Sequence, residues 1–364
     1  MYSFDPSEEQ KMLIDSVRRY AVDDLRNAAR DADEQKQLPQ NLIEKGWELG
    51  YLQASIPEAY DGFGEHSTVT GVLTAEEMAY GDLAGALAVM APSLFAIPIL
   101  MVGSETQKRS FIPPVIEMEW KPFTAALMEN RFNFDPCELH TKAELTGDEY
   151  ILTGEKSYVP YADAAESMIV YANLNGESQG FIISNDVEGF EVGKRQKLLG
   201  LHALPLYTVH LNGVKVPREN RLGGVDGHNF AVIVDSSRIA LAAMAVGVSK
   251  AAFEYSRDYA KERDVFGVKV AQKQAIAFML AEMATEIEAI RLLVWEAAWM
   301  IDNNKPDASK HAYLAMIGAS DMVMMVTDRA VQILGGHGYI REHPVEMWMR
   351  NGRGFATFDG LAIV

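Results

Sequence analysis

The sequence predicts an α+β fold in three consecutive parts: an N-terminal helical domain (1–121), a middle antiparallel β domain (122–227) and a C-terminal four-helix bundle (228–364). Two observations carry that expectation. Apolar residues recur at steps of three and four on both flanks, whereas the middle switches to short β-branched runs separated by turn dipeptides. Long helical patterns joined by short connections then imply a bundle.

In the first part, "DPSEEQKMLIDSVRRYAVDDL" opens with Asp5-Pro6 as a cap followed by proline, then acidic residues in the first turn. Leu13, Val17, Tyr20 and Leu25 follow at helical spacing. "PQNLIEKGWELGY" and "TVTGVLTAEEMAYG" read as further helices, separated by the glycine-rich turn "PEAYDGFGEH".

In the middle part, "EYILTGEKSYV", "SMIVYANL", "QGFIISN", "FEVGKR" and "YTVHLNGVKVP" read as strands, with Asn175-Gly176 and Asn212-Gly213 as turns between them. A small barrel or sandwich is expected. In the third part, Ile276, Met279, Leu280, Met283, Ile287, Ile290 and Val294 mark one face of a long helix. A second long helix follows Pro306 and ends at Gly335-Gly336, where glycine can adopt the left-handed cap conformation. The methionines at 279, 283, 316, 322, 324 and 325 read as core filling.

Bulk properties narrow the function classes. The net charge of -18 argues against nucleic acid or an anionic membrane as partner, since both are met by clustered Lys and Arg. Cys137 is the one cysteine, so no internal disulfide forms, which fits a reducing cytoplasm. The start carries no basic-then-apolar leader, and the longest apolar run, near 84–101, is broken by Pro92 and Pro98, so neither secretion nor a membrane span is expected. Phosphate-loop, metalloprotease, paired-cysteine and calcium-loop motifs are absent, and the eight His are scattered, so no metal site is expected.

Two stretches invite closer inspection. "KERDVFG" places Arg263 at the end of a long helix with Phe266 and Gly267 at the break, and "VQILGGHGYIREHPVE" ends another helix on Gly335, Gly336 and Gly338. Taken singly, Arg263 is a cation favourable to a helix C-terminus and the glycines are a helix stop.

Taken together with "LGYLQASIPEAYDGFG", "GSETQKRSFIPPVIEMEWKPFTAALMEN", "KLLGLHALPLYTVHLNGVKVPRENRLG", "RDVFG...KQAIAFMLAEMA" and "QILGGHGY...HPVEMWMR", the chain resembles the acyl-CoA dehydrogenase family over nearly its whole length. The resemblance implies FAD as cofactor and α,β-oxidation of an acyl-CoA thioester. A carboxylate takes the α-proton, the flavin accepts hydride from the β-carbon, and an external acceptor such as an electron-transfer flavoprotein takes the electrons. It further implies a flavin shared across a dimer interface. Arg263, Phe266 and Gln274 belong to the donated ADP half-site, with Arg263 able to meet pyrophosphate oxygens, and Gln332, Gly335 and Gly336 meet the adenosine side.

Against the family pattern, the ring-holding half departs. Met128 stands where a threonine is usual and Phe134 where a serine is usual, while Asp135 is retained; Tyr158, Val159 and Pro160 replace Trp-Ile-Thr. Proline offers neither a hydroxyl nor an N–H. The family's Tyr-Glu-Gly-Thr reads here as "FDGL", so Asp359 aligns with the base one methylene short, and Leu361 replaces a threonine. The alternative base position holds Ser237 ahead of Arg238, which leaves Asp359 as the one candidate base; Arg238 is the other residue assigned to catalysis by the resemblance. Asp359 is either a working base or a relic turn residue. The family's usual helical tail is absent from this sequence.

Three functions remain open: a subunit of a heteromeric dehydrogenase, as on CoA thioesters of steroid side chains, lending its ADP half-site to a homologous partner in a tetramer; a self-sufficient homotetramer with Asp359 as base; or a non-enzymatic scaffold.

Overall fold

The computed structural model describes residues 6–364. Helix α1 (Glu8–Tyr20) starts at Ser7, whose hydroxyl accepts from the Gln10 N–H while the Gln10 side chain accepts from the Ser7 N–H, a capping box. Ser7 is therefore the N-cap where Asp5-Pro6 was expected; Asp5 lies outside the described residues. A π-helical turn (Ala21–Leu25) joins α1 to α2 (Arg26–Gln35), and α3 (Gln40–Trp47) follows. Helices α4 (Thr68–Gly81), α5 (Leu83–Val89) and α6 (Ser93–Val102) are buried on almost every side, and α7 (Glu105–Phe111) closes the first part.

Seven strands make the middle part: β1 (Thr124–Ala126), β2 (Lys142–Thr146), β3 (Glu149–Pro160), β4 (Ser167–Leu174), β5 (Glu177–Ser184), β6 (Phe190–Arg195) and β7 (Leu206–Pro217). The order is β1-β4-β2-β3-β7-β6, with β5 on β4. Two pairings depart from the expected antiparallel sheet, because β4 runs parallel to both β1 and β2. Asn175-Gly176 is the expected β4–β5 turn, with φ of 55° and 94°. Asn212-Gly213 is not a hairpin turn: it sits inside β7, where the register against β3 slips between Leu152/Val214 and Thr153/Asn212, a bulge with Gly213 at φ 73°.

The third part begins with α8 (Phe230–Glu262), then a two-stranded hairpin, β8 (Asp264–Val265) and β9 (Val268–Lys269), turned by Phe266 and Gly267 at φ 55° and 80°. Helices α9 (Gln274–Asp302), α10 (Ala308–Leu334) and the short α11 (Val345–Gly352) follow. By length and composition α8 could cross a membrane, yet 83% of its apolar window is buried inside the protein, because α4, α9, α10 and α11 pack around it. It is the central core helix. The α9 stripe buries Met283, Ile287, Ile290 and Val294, while Ile276, Met279 and Leu280 are only partly covered near the helix start. Of the other methionines, Met322 is buried and Met316, Met324 and Met325 are partly so.

Candidate active site

Helices α8, α9 and α10 alternate in direction, so the end of α8, the start of α9 and the end of α10 meet at one end of the bundle. Tyr259 near the α8 terminus shares a 2.9 Å hydrogen bond with His337 Nδ1, just past α10, and Tyr255 shares one of 2.7 Å with His343 Nδ1. The two imidazoles stack at 5.2 Å between centroids. Burial and the neighbouring His337 hold His343 below the ordinary histidine range.

Arg263, Phe266, Gln274, Gln332, Gly335 and Gly336 are thereby collected at this end, and all six are exposed. Arg263 is the α8 C-cap; its N–H donates to Tyr259 and its carbonyl accepts from Val270, but its guanidinium has no partner among the described residues. The side chains of Gln274 and Gln332 are equally unpartnered among the described residues. Nothing lies within 4 Å of a Cβ built on Gly335 or Gly336, so a ligand can approach that backbone. Phe266, 93% exposed, adds an apolar surface beside these donors. Exposed donors around bare backbone suit phosphate and adenosine groups.

The second cluster forms where the β domain meets the residues after α11. Met128 (buried) and Tyr158 (half-buried) line a solvent-open cleft of ≈ 280 Å³ with Leu201, Arg350, Gly354 and Phe358. Met128 is held by its neighbours: Glu129 accepts from the N–H groups of His140 and Thr141 and pairs at 2.9 Å with the fully buried Lys156, which also donates to the Leu127 carbonyl. Tyr158 adopts φ 58° and donates its N–H to Gln196 Oε1 at 2.8 Å. Pro160 has no N–H to offer. Met128, Val159 and Pro160 therefore bring no side-chain hydroxyl here, and the Tyr158 phenol is the one hydroxyl among the replacing side chains. Opposite, Arg350 forms a two-pronged contact with Asp33 (3.1 and 2.7 Å) and another with Glu346 (2.8 Å), fixing α11 against the first part.

Asp359 follows the cleft-lining Phe358 directly. It is half-buried, and its Oδ1 is buried without a hydrogen-bond partner. Burial pushes its carboxyl up to about 6; Arg238 opposes the shift and Asp135 adds to it. Arg238 forms no ion pair with it among the described residues and instead lies over the Tyr313 ring at 5.1 Å. A carboxylate raised toward neutrality and left without a hydrogen-bond partner on one oxygen is chemically suited to accept a proton. Ser237, at the alternative base position, is buried with an unpartnered hydroxyl.

Arg238, in α8, and Arg263, its C-cap, are 25 residues apart, about 37 Å along the helix at 1.5 Å per residue. Arg263 is thus too far away to hold the pyrophosphate of a flavin whose ring lies beside Asp359 of the same chain. The two clusters are far apart on this chain.

Motif reasoning missed Glu129, Lys156, Arg350, Asn351 and the Tyr–His contacts. Asn351 is buried and its Oδ1 accepts from the Leu201 N–H at 2.8 Å, which shapes the cleft floor. Lys156 alone left a trace, a lysine at an inward position of a strand.

Family models match consecutive stretches of the chain: "Acyl-CoA dehydrogenase, N-terminal domain" over 7–119, "middle domain" over 124–214 and "C-terminal domain" over 230–362. The chain belongs to the acyl-CoA dehydrogenase family of FAD-dependent oxidoreductases. It is 34% identical to the caffeyl-CoA reductase-Etf complex subunit CarC of Acetobacterium woodii, covering 98% of this chain and 96% of the relative. It is 30% identical to the mitochondrial short-chain specific acyl-CoA dehydrogenase of Bos taurus, covering 98% and 87%. Among solved structures, butyryl-CoA dehydrogenase from Megasphaera elsdenii superposes with a TM-score of 0.89 at 32% identity, covering 98% and 96%.

Proposed function

We propose that this chain is a subunit of a heteromeric acyl-CoA dehydrogenase. It lends the ADP half of an FAD site, through Arg263, Phe266, Gln274, Gln332, Gly335 and Gly336, to a homologous partner that carries the flavin ring and the base. The observation that carries this reading is an asymmetry. The donating end presents donors that are unpartnered among the described residues, whereas the chain's own ring wall is lined by Met128 and Tyr158, with Pro160 buried close by in the same strand. FAD, when bound, accepts hydride from the thioester's β-carbon. The residues of this chain bind and orient its ADP end. An electron-transfer flavoprotein is the acceptor we propose, supported by the relative described as an Etf-complex subunit. A bulky thioester, such as that of a steroid side chain, is the substrate class proposed with a heteromeric assembly.

A second reading has its own support: the raised, unpartnered carboxyl of Asp359 fits a base in a homotetramer. Asp359→Asn separates the two. In the heteromer, turnover stays within about twofold; in the homotetramer the loss is on the order of 10²-fold or more, the scale of a missing general base. The same variant reports on burial. An aspartate raised from 3.8 to about 6 destabilises the fold when ionised. That cost is absent below the unfolded value near 4, grows between there and 6, and is complete above 6. Asp359→Asn should therefore gain about 1–2 kcal/mol at pH 8, discounted for partial exposure, and nothing near pH 4.

A further inference from the structure

Beyond Asp359 the chain turns inward. Gly360 adopts φ 62°, and a Cβ there would stand 2.6 Å from the Leu127 side chain, so glycine is required at the bend. Leu361, Ala362, Ile363 and Val364 are then 3, 2, 2 and 5% exposed. Val364 reaches α4, where a Cβ added to Gly71 would fall 2.5 Å from Val364 Cβ. Its carbonyl accepts from the Ser236 hydroxyl on α8, two residues before Arg238. Ile363 and Val364 face Tyr51, Thr74, Met90, Ser93 and Ile97 across a residual space of ≈ 20 Å³, room for about one water.

A dehydrogenase of this family needs apolar room continuing from its base, because the acyl chain extends from the carbon whose proton the base takes. Here residues 361–364, all buried, run inward from Asp359, and Ile363 and Val364 fill the space against α4 and α6, with Val364 tied to Ser236 of α8. We propose that residues 361–364 are an internal plug, occupying the acyl-tail space of this chain's own site and excluding the acyl group of a CoA thioester from it. The proposal rests on the dehydrogenase reading above and deepens it: a chain whose own acyl space is filled serves catalysis through what it lends to its partner.

Calorimetric titration of the full chain with free CoA, butyryl-CoA and octanoyl-CoA tests the plug. The full chain should bind octanoyl-CoA no more tightly than CoA, while Ile363→Gly/Val364→Gly should gain at least tenfold for octanoyl-CoA. Octanoyl-CoA binding at least tenfold tighter than CoA in the full chain, or no gain in the variant, overturns the proposal. A second measurement does not depend on thioesters. Gly71→Ala should lower the melting temperature by several degrees in the full chain and by far less when Val364→Gly, which removes the Cβ that the new methyl meets, is also present. Equal losses in both backgrounds would show that the segment does not seat against α4. Flavin content reads the donated half-site and thioester affinity reads the plug, so either idea can fail without the other.

Discussion

Lys156→Met should lower the unfolding free energy by about 3–5 kcal/mol, the range for removing one partner of a buried ion pair. The Lys156 side chain is fully buried and that of Glu129 nearly so, at 0% and 5% exposure. Without the ammonium, Glu129 keeps the N–H groups of His140 and Thr141 and a 3.4 Å contact with Arg131 Nε, but the Leu127 carbonyl loses a donor. Met128, between Leu127 and Glu129, would shift with them, so the cleft wall is coupled to this pair. Burial alone would raise the Glu129 carboxyl, but Lys156 and the two N–H groups outweigh it and hold it at about 2. A depressed carboxylate contributes stability that is complete above its unfolded value near 4 and disappears as pH falls toward 2. Native and variant stabilities should therefore converge across that window in chemical denaturation. Glu129→Gln/Lys156→Met should recover most of the loss, because no lone charge remains.

Arg263→Ala should raise the flavin dissociation constant of the assembled enzyme by about 10- to 150-fold, the equivalent of one charge-assisted hydrogen bond of roughly 1.5–3 kcal/mol. Stability should change by no more than about 0.5 kcal/mol, since the guanidinium is exposed and has no partner among the described residues to lose. Arg263→Lys keeps the charge but not the fork and should fall between. Fluorescence titration of flavin into the apo-complex measures the first effect and thermal melts the second. An unchanged dissociation constant would remove Arg263 from the half-site.

Local signals carried much of this structure. The α9 stripe, the glycine stop after α10 and the Phe266-Gly267 break report interactions within a few residues and stand where periodicity and turn chemistry put them, although Gly335, at φ 59° and ψ -129°, does not take the left-handed cap conformation expected of it. Asn212-Gly213 misled because the same dipeptide suits a hairpin turn and a bulge, and the β3 partner decides which. The parallel β1–β4 pairing joins segments over forty residues apart and leaves no local trace. Lys156 lies at an inward strand position, but no motif marks it as half of a buried pair, since its partner is a carboxylate in a different segment. Leu361 read as a lost flavin contact; its 3% exposure shows a core residue whose role is packing. Asp359 was legible as a position, but its unpartnered oxygen and raised carboxyl come from burial in the folded chain, with Arg238 and Asp135 brought near from distant segments.

The flavin content of the chain purified alone, read from its visible spectrum against protein concentration, tests the donated half-site most directly. A chain that lends only the ADP half should be isolated without stoichiometric flavin and acquire it on co-expression with its homologous partner. A stoichiometric flavin band in the lone chain would contradict this and assign both halves of the site to copies of the same subunit.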